Sequence, residues 1–217
     1  MATLVNDDPD RELAERVLAG DRAAFDTLVG RYHGRLLRLA RSFVRDAAAA
    51  EEVVQETWKA VFAQLGRFEG RSRLRAWIFT ILTNQAKTRG VRDRRFVPFS
   101  ALDSGAGDED GGAGERLLES ESFKASGSWA APPKRWSDET PEAIVIRRQA
   151  MAALETAIDG LPDNLRAVVT MRDVAGLSSE DVCNALGISE INQRVLLHRA
   201  RARLRKAVAA HMEDRTR

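Results

Sequence analysis

Residues 178–206 carry the pattern that most constrains what this chain can fold into. The spacing of apolar residues predicts one helix over about Ser178 to Ala185 and another that begins after Ser189. Between them lies Leu186-Gly187-Ile188, and glycine tolerates the left-handed backbone that a sharp turn requires. Ser189 is a favourable N-cap residue for the second helix. The pattern therefore predicts a helix-turn-helix whose second helix is rich in arginine.

The second helix of this motif has two faces of different chemistry. We expect Ile191, Val195, Leu196 and Leu204 to pack inward. The residues expected to face solvent are Asn192, Gln193, Arg194, His198, Arg199, Arg201, Arg203, Arg205 and Lys206. Amides and arginines early in such a helix suit the base edges of a DNA major groove, and later arginines suit phosphates. A solvated basic helix is the alternative for this segment alone.

The distribution of charge also favours a polyanionic partner. The formal net charge is only +2, but basic residues cluster over 71–95 and 194–206, and acidic residues cluster over 103–121. Cys183 is the only cysteine, which excludes an intrachain disulfide and a cysteine-based metal cluster. Its place in the motif suits a small packed residue better than a redox sensor. The polar start of the chain and the lack of a long apolar run predict a soluble cytoplasmic protein without membrane insertion.

Glycine and proline divide the chain into three parts. We predict an all-α fold with two small helical domains, residues 1–97 and 139–217, joined by a flexible linker over 98–138. The linker begins as a glycine-rich acidic tract and ends in a tryptophan and proline motif over 129–136, which we expect to pack on a domain rather than on a partner. The helices predicted in the two domains are Asp10–Ala19, one capped by Asp21, one capped by Asp46, Leu74–Arg95, Pro141–Asp159 and Asn164–Val174.

Three segments together resemble the extracytoplasmic-function group of the bacterial sigma-70 family. The first is Ala50-Glu-Glu-Val-Val-Gln-Glu-Thr-Trp58, which is similar to that family's helix for binding core RNA polymerase. The second, residues 68–84, is similar to the loop and helix that bind the −10 promoter element. The third, residues 160–178, is similar to the lead into the helix-turn-helix that binds the −35 element. The resemblance covers about residues 10–95 and 140–208.

The resemblance implies partners and site residues. The partners are core RNA polymerase, promoter DNA and an inhibitory anti-sigma protein, and no catalytic residue, cofactor or metal is implied. Polymerase binding is expected at Glu51, Glu52, Val54, Gln55 and Trp58. Binding of the −10 element is expected at Phe68, Arg71, Ser72, Arg73, Arg75, Asn84, Lys87 and Arg92. Binding of the −35 element is expected at Asn192, Gln193, Arg194, Val195, His198, Arg199 and Arg201.

Some interpretations remain open on the sequence. The family often begins its recognition helix with Gly-Thr-Val-Lys/Arg-Ser-Arg-Leu, whereas this chain has Ile191-Asn-Gln-Arg-Val-Leu-Leu197, so a base preference does not carry over. We expect Trp77 to be a core residue rather than a platform for a stacked base. Asn84 either lines a pocket or is a satisfied buried group. A stand-alone transcription regulator is the second hypothesis, and an enzyme is disfavoured because no phosphate loop or nucleophile–base arrangement is evident.

Overall fold

The computed structural model describes residues 10–44, 46–70, 72–92 and 141–214, and the elements that it describes are helical. The first domain contains α1 (Arg11–Leu18), α2 (Arg22–Ala40), α3 (Ala47–Gln64) and α4 (Leu74–Arg92), with a short 3-10 turn over Leu65–Arg67. The second contains α5 (Pro141–Asp159), α6 (Asp163–Val169), α7 (Ser179–Leu186) and α8 (Glu190–Asp214), with a π-helical turn over Thr170–Val174. The prediction of an all-α chain with two helical domains is confirmed.

Capping residues fix where the helices of the first domain begin. The side chain of Asp21 accepts hydrogen bonds from the backbone of Ala23 and Ala24, and Asp46 accepts one from Ala49. These carboxylates satisfy backbone N–H groups that have no partner inside the helix. Both caps were predicted from the sequence and are confirmed.

Large apolar side chains on α2, α3 and α4 form the core of the first domain. Leu28, Leu36, Val54 and Leu82 are fully buried. The ring of Tyr32 meets the ring of Phe79 edge to face, with 6.3 Å between their centroids. The Tyr32 hydroxyl donates to the buried carboxylate of Asp10, which also pairs with Arg31, so this cluster fastens the start of α1 to α2. These contacts hold α3 and α4 side by side, with one face of each exposed.

The second domain packs α5 and α6 against the long helix α8. Met171, Val168 and Ala200 are fully buried in its core. The sequence predicted one continuous helix over Asn164–Val174, but the structure changes to a π-helical turn at Thr170. The backbone N–H of Ala175 bonds to the carbonyl of Thr170, five residues earlier, at 2.8 Å. This wider turn ends the helix and leads the chain into α7.

The two domains contact each other through polar groups. The Arg166 guanidinium of α6 donates to the hydroxyl of Ser42 at 3.1 Å and to the carbonyl of Arg41 at 2.9 Å. Arg38 of α2 lies 3.2 Å from an Asp159 carboxylate oxygen and 3.8 Å from one of Glu155. The predicted linker, with Trp129 and Trp136, lies outside the described residues. Within the helices that the structure describes, no segment is long and apolar enough to cross a membrane.

Candidate nucleic-acid interface

Local backbone chemistry builds the helix-turn-helix from α7 and α8. The Ser178 hydroxyl accepts a hydrogen bond from the backbone N–H of Asp181 at 3.0 Å, and the Asp181 carboxylate accepts one from the backbone N–H of Ser178, which forms a capping box. Gly187 ends α7 with a left-handed backbone, at a φ of 71°. The Ser189 hydroxyl accepts from the Asn192 N–H at 3.2 Å and begins α8. The predicted turn at Gly187 and the predicted cap at Ser189 are confirmed, whereas the capping box at Ser178 had not been predicted.

The predicted orientation of the first turn of α8 is wrong. Ile191, predicted to be inward, is 75% exposed, whereas Asn192 and Gln193, predicted to be outward, are buried. Gln193 lies three residues before Leu196 and seven before Ala200, so it shares their buried face. Its side-chain carbonyl accepts a hydrogen bond from Ser179 of α7 at 2.9 Å. Gln193 therefore helps to hold the motif together, and both amides are buried instead of facing a groove.

The other residues of α8 that were predicted to bind DNA differ in their exposure to solvent and in their contacts within the protein. Arg194 is exposed and forms an ion pair with Glu190 at 2.7 Å, and Arg199 is also exposed. Val195 and His198 are half-buried. Arg201, predicted to contact phosphate, instead makes two hydrogen bonds of 2.9 and 2.7 Å to the Asp173 carboxylate. That pair fastens α8 to the π-helical turn, because Arg201 is largely buried against it.

The acidic residues of α3 form an exposed face beside a buried one. Glu52, Gln55 and Glu56 are exposed, and Glu51 is half-buried. Val54 and Trp58, predicted to be the apolar centre of a docking surface, are instead buried in the core, with Trp58 stacked on Phe62 at 5.5 Å between centroids. They lie four residues apart, so they share one face of the helix. That face packs into the core and not against a partner.

A groove runs between α3 and α4 and places Asn84 at the surface. Its lining residues are Glu52, Val53, Gln55, Glu56, Asn84, Gln85, Thr88 and Arg89. Arg89 pairs with Glu52 at 3.0 Å, and Gln85 accepts a hydrogen bond from Thr57 at 2.8 Å. Asn84 is exposed, which decides its two interpretations in favour of a lining residue. Gln85 had not been predicted as a site residue, and Arg89 had been predicted only as part of the basic surface of α4. Their contacts with α3 were missed because no sequence signal pairs the two helices across 28 to 37 positions.

The residues predicted for the −10 element occupy several environments. Phe68 and Trp77 are half-buried against the core, with 5.1 Å between their ring centroids, as expected for a core role of Trp77. Arg73 is exposed and Ser72 is half-buried. Arg71 and the side chain of Arg92 lie outside the described residues.

Two of these predicted DNA contacts lie against the second domain. The Lys87 ammonium donates to the Ala185 carbonyl of α7 at 2.7 Å, and burial lowers the pKa of this lysine. The guanidinium of Arg75 lies close to Gly176 of the second domain, since a Cβ atom built on that glycine would be only 3.1 Å from it. The helix that was expected to face DNA is therefore partly covered by the helix-turn-helix in this arrangement.

Comparison with known proteins places each domain in a described sequence family. A model of sigma-70 region 2 matches residues 28–96, and a model of sigma-70 region 4 matches residues 151–204. The RNA polymerase sigma-H factor of Pseudomonas aeruginosa is 32% identical over 205 residues, which cover 94% of this chain and 96% of that protein. The chain belongs to the extracytoplasmic-function group of the sigma-70 family.

A further relative agrees with this assignment in sequence. The extracytoplasmic-function sigma-E factor of Escherichia coli K12 is 29% identical over 192 residues, covering 88% of this chain and 90% of that protein. Among solved structures, a sigma factor RpoE in complex with the anti-sigma factor NepR from Bartonella quintana covers 85% of this chain and 96% of its own, at 22% identity and a TM-score of 0.48.

Family membership decides between the functional hypotheses. The protein is an alternative sigma factor, which binds core RNA polymerase, recognises −35 and −10 promoter elements and initiates transcription of a specific gene set. It is not an enzyme, since a sigma factor contributes promoter recognition and the polymerase performs nucleotide transfer. The stand-alone regulator is set aside, because a region 2 domain is present as well as the helix-turn-helix.

Proposed function

We propose that three surfaces of this sigma factor divide the work of initiation. The acidic face of α3 binds core RNA polymerase, the surface around α4 binds the −10 element, and the exposed face of α8 binds the −35 element. The observation that supports this most is that each family model falls on one helical domain, and each domain has a basic helix beside its site. The proposed domain boundaries are 1–97 and 139–217, joined by residues 98–138.

The −35 contacts are proposed on the part of α8 that solvent reaches. Arg194 binds a base edge, with guanine preferred because its O6 and N7 accept two hydrogen bonds from one guanidinium. Val195 and His198 lie on the same face as Arg194, and Arg199 neutralises phosphate. The burial of Asn192 and Gln193 and the Asp173 partner of Arg201 argue against these three as direct contacts.

The −10 contacts are proposed around the loop before α4 and along that helix. Phe68 and Ser72 border a pocket for an unstacked base, while Arg73 and the resemblance-implied Arg71 and Arg92 neutralise phosphate. Asn84 lines the groove beside them. Unstacking a base costs only a few kcal/mol. Binding of the unstacked base in this pocket offsets that cost and so drives strand opening. Arg75 and Lys87 join this surface once the second domain moves away from it.

The polymerase contacts are proposed on Glu51, Glu52 and Gln55, with Glu56 beside them. Exposed carboxylates on successive turns suit a basic partner surface by electrostatic complementarity. The buried positions of Val54 and Trp58 argue that they support this helix from below. The work of such a protein is at the chromosome, so we propose a cytoplasmic location and, from family membership, control by an anti-sigma protein that covers the same surfaces.

Run-off transcription tests the proposed surfaces. Core RNA polymerase and this protein are combined with a library of promoter-bearing fragments, and discrete transcripts that require the protein define its −35 and −10 sequences. Glu52→Lys is expected to weaken core binding at least about tenfold, because it sets like charges against each other. Glu12→Lys, on the exposed side of α1, makes the same charge change away from the site and is expected to bind normally.

Two results would count against the proposal. The first is that this protein yields no transcripts with a core polymerase that another initiation factor does activate. These surfaces would then not have the proposed role in initiation. Equal losses of core binding in Glu52→Lys and Glu12→Lys would show that net charge matters and the acidic face of α3 does not.

A further inference from the structure

Ile191 is the most exposed large apolar side chain among the described residues, with three quarters of its surface open to solvent. Single exposed apolar residues are common and need no explanation on their own. This one stands at the second position of α8, the end of a recognition helix that enters a major groove first. Its position therefore suggests a contact with DNA. Leu18 of α1 is exposed as well, at 54%, but it does not lie on a recognition helix.

The geometry of α8 points Ile191 away from the protein core. Leu196, Ala200 and Leu204 are buried, and Ile191, Arg194 and His198 follow the spacing i, i+3 and i+7, which places them together on another face. Asn192 and Gln193 are buried on the core side. The first turn of the helix thus presents Ile191 beside the Glu190–Arg194 ion pair, where an amide had been expected.

The chemistry of the major groove offers one apolar partner for such a side chain. Guanine, adenine and cytosine present hydrogen-bonding groups there, and thymine adds the C5-methyl group. Isoleucine has no donor or acceptor, so burial against a polar base edge would leave that edge without a hydrogen bond. Its β-branched side chain also has few rotamers in a helix, so little conformational entropy is lost when it is fixed at an interface.

We propose that Ile191 is a specificity-determining residue, which selects a thymine in the −35 element by packing on its C5-methyl group. The proposal rests on the proposed assignment of α8 to the −35 element. It gives the first turn of α8 a base preference that the buried Asn192 and Gln193 do not supply. Arg194 binds a neighbouring base pair from the same face, and Ile191 adds discrimination that a guanidinium does not supply.

Replacement of thymine by uracil tests this contact without other changes to the groove. Uracil keeps every hydrogen-bonding group of thymine and lacks only the methyl. A promoter that the complete holoenzyme transcribes is taken from the run-off selection, and each −35 thymine on either strand is replaced in turn. We expect one replacement to weaken equilibrium binding of the wild-type holoenzyme about fourfold, the contribution of one buried methyl group.

The matched variants separate this contact from general methyl effects. In Ile191→Ala the same replacement is expected to cost clearly less than fourfold, because only the β-carbon remains to meet the methyl, and thymine should lose most of its advantage over cytosine at that pair. Leu18→Ala removes an exposed leucine far from α8 and should keep the full fourfold loss. Ile191→Ser serves as a second variant, and circular dichroism confirms that each variant is folded.

Several outcomes would overturn the assignment. They are a selected −35 element without thymine, tolerance of uracil at every position by the wild type, or an equal uracil penalty in wild type and Ile191→Ala. A loss in Ile191→Ala that is uniform across bases would place the side chain against protein or backbone instead. Failure of the sigma function itself has a different signature, because no fragment would then yield a transcript for the uracil series.

Discussion

Gln193 and Arg194 are neighbours in the chain, yet we expect opposite consequences from their removal. Gln193 is 2% exposed and bonds to Ser179, so Gln193→Ala removes a hydrogen bond between α7 and α8 and should lower the free energy of unfolding by about 1 kcal/mol. Arg194 is exposed, and Arg194→Ala should change stability by less than about 0.5 kcal/mol while altering promoter choice. Urea denaturation and transcription from a promoter panel measure the two effects. A Gln193→Ala protein with native stability and altered base preference would contradict this division.

Cys183 is the residue for which pH dependence is most informative. Burial raises the pKa of its thiol, with a side-chain hydrogen bond from Ser179 acting in the opposite direction. A raised pKa lowers the thiolate fraction near neutral pH, and the thiolate is the nucleophile. Alkylation by iodoacetamide at pH 8 should therefore be slower in the native protein than in the same protein in urea. It should accelerate as pH rises further. Native alkylation as fast as that in urea, or an oxidant response lost in Cys183→Ala, would reopen a redox role.

The capping box of α7 is the element-scale device that positions the recognition helix. Ser178 and Asp181 satisfy each other's backbone N–H groups, and Gly187 turns the chain at the other end. Ser178→Ala should lower the free energy of unfolding by about 1 kcal/mol, since an N-cap hydroxyl is lost. Urea denaturation of the full chain measures this change. Thr156→Ala is the matched control, because it removes an exposed hydroxyl that bonds within α5, and it should leave stability nearly unchanged. Equal effects of the two variants would argue against the cap.

Sequence patterns predicted the helices well and their exposed faces less well. Asp21, Asp46, Ser178 and Gly187 mark boundaries through hydrogen bonds within a few residues, so local chemistry is enough to locate them. The burial of Gln193 depends on contact with α7, fourteen residues away, and composition alone misled the prediction because amides usually lie outside.

The same difference between local and long-range contacts explains the residues of the first domain. Val54 and Trp58 were placed on the correct helix but on the wrong side of it, because both a docking stripe and a core stripe repeat every three to four residues. The Glu52–Arg89 pair joins residues that are far apart in sequence, and no sequence pattern in either helix predicts that the two helices pack together. The contact between the domains was also beyond prediction, since its polar partners lie more than 90 residues apart.

At the scale of the whole molecule, the contact between the domains is incompatible with a bound promoter. The −35 and −10 elements lie roughly 25 base pairs apart, which is about 85 Å along B-DNA. Lys87, which belongs to the proposed −10 surface, nevertheless bonds directly to α7 of the helix-turn-helix. The 48 residues between Arg92 and Pro141 reach at most about 170 Å when extended, so they permit the required separation. Simultaneous binding of both elements therefore requires the domains to part.

Arg38 is the residue through which this opening is best tested. It faces the carboxylates of Asp159 and Glu155, and such partly exposed pairs contribute only about 0–1 kcal/mol each, so this part of the contact is easily broken. Arg38→Glu replaces attraction by repulsion and should increase the radius of gyration of the free protein in small-angle X-ray scattering. Arg22→Glu, at the exposed start of α2, makes the same change of charge and should leave the radius unchanged.

A charge swap decides whether the Arg38 contact itself holds the domains together. Arg38→Glu combined with Asp159→Arg restores an opposite pair across the same interface and should return the radius of gyration toward that of the wild type. Thermal unfolding followed by circular dichroism checks that each domain remains folded in all variants. An unchanged radius in Arg38→Glu would mean that Arg166 and Lys87 suffice to keep the domains closed. An enlarged radius that the swap fails to reverse would instead assign the expansion to damage within the first domain, because only a contact between the domains can be rescued from Asp159.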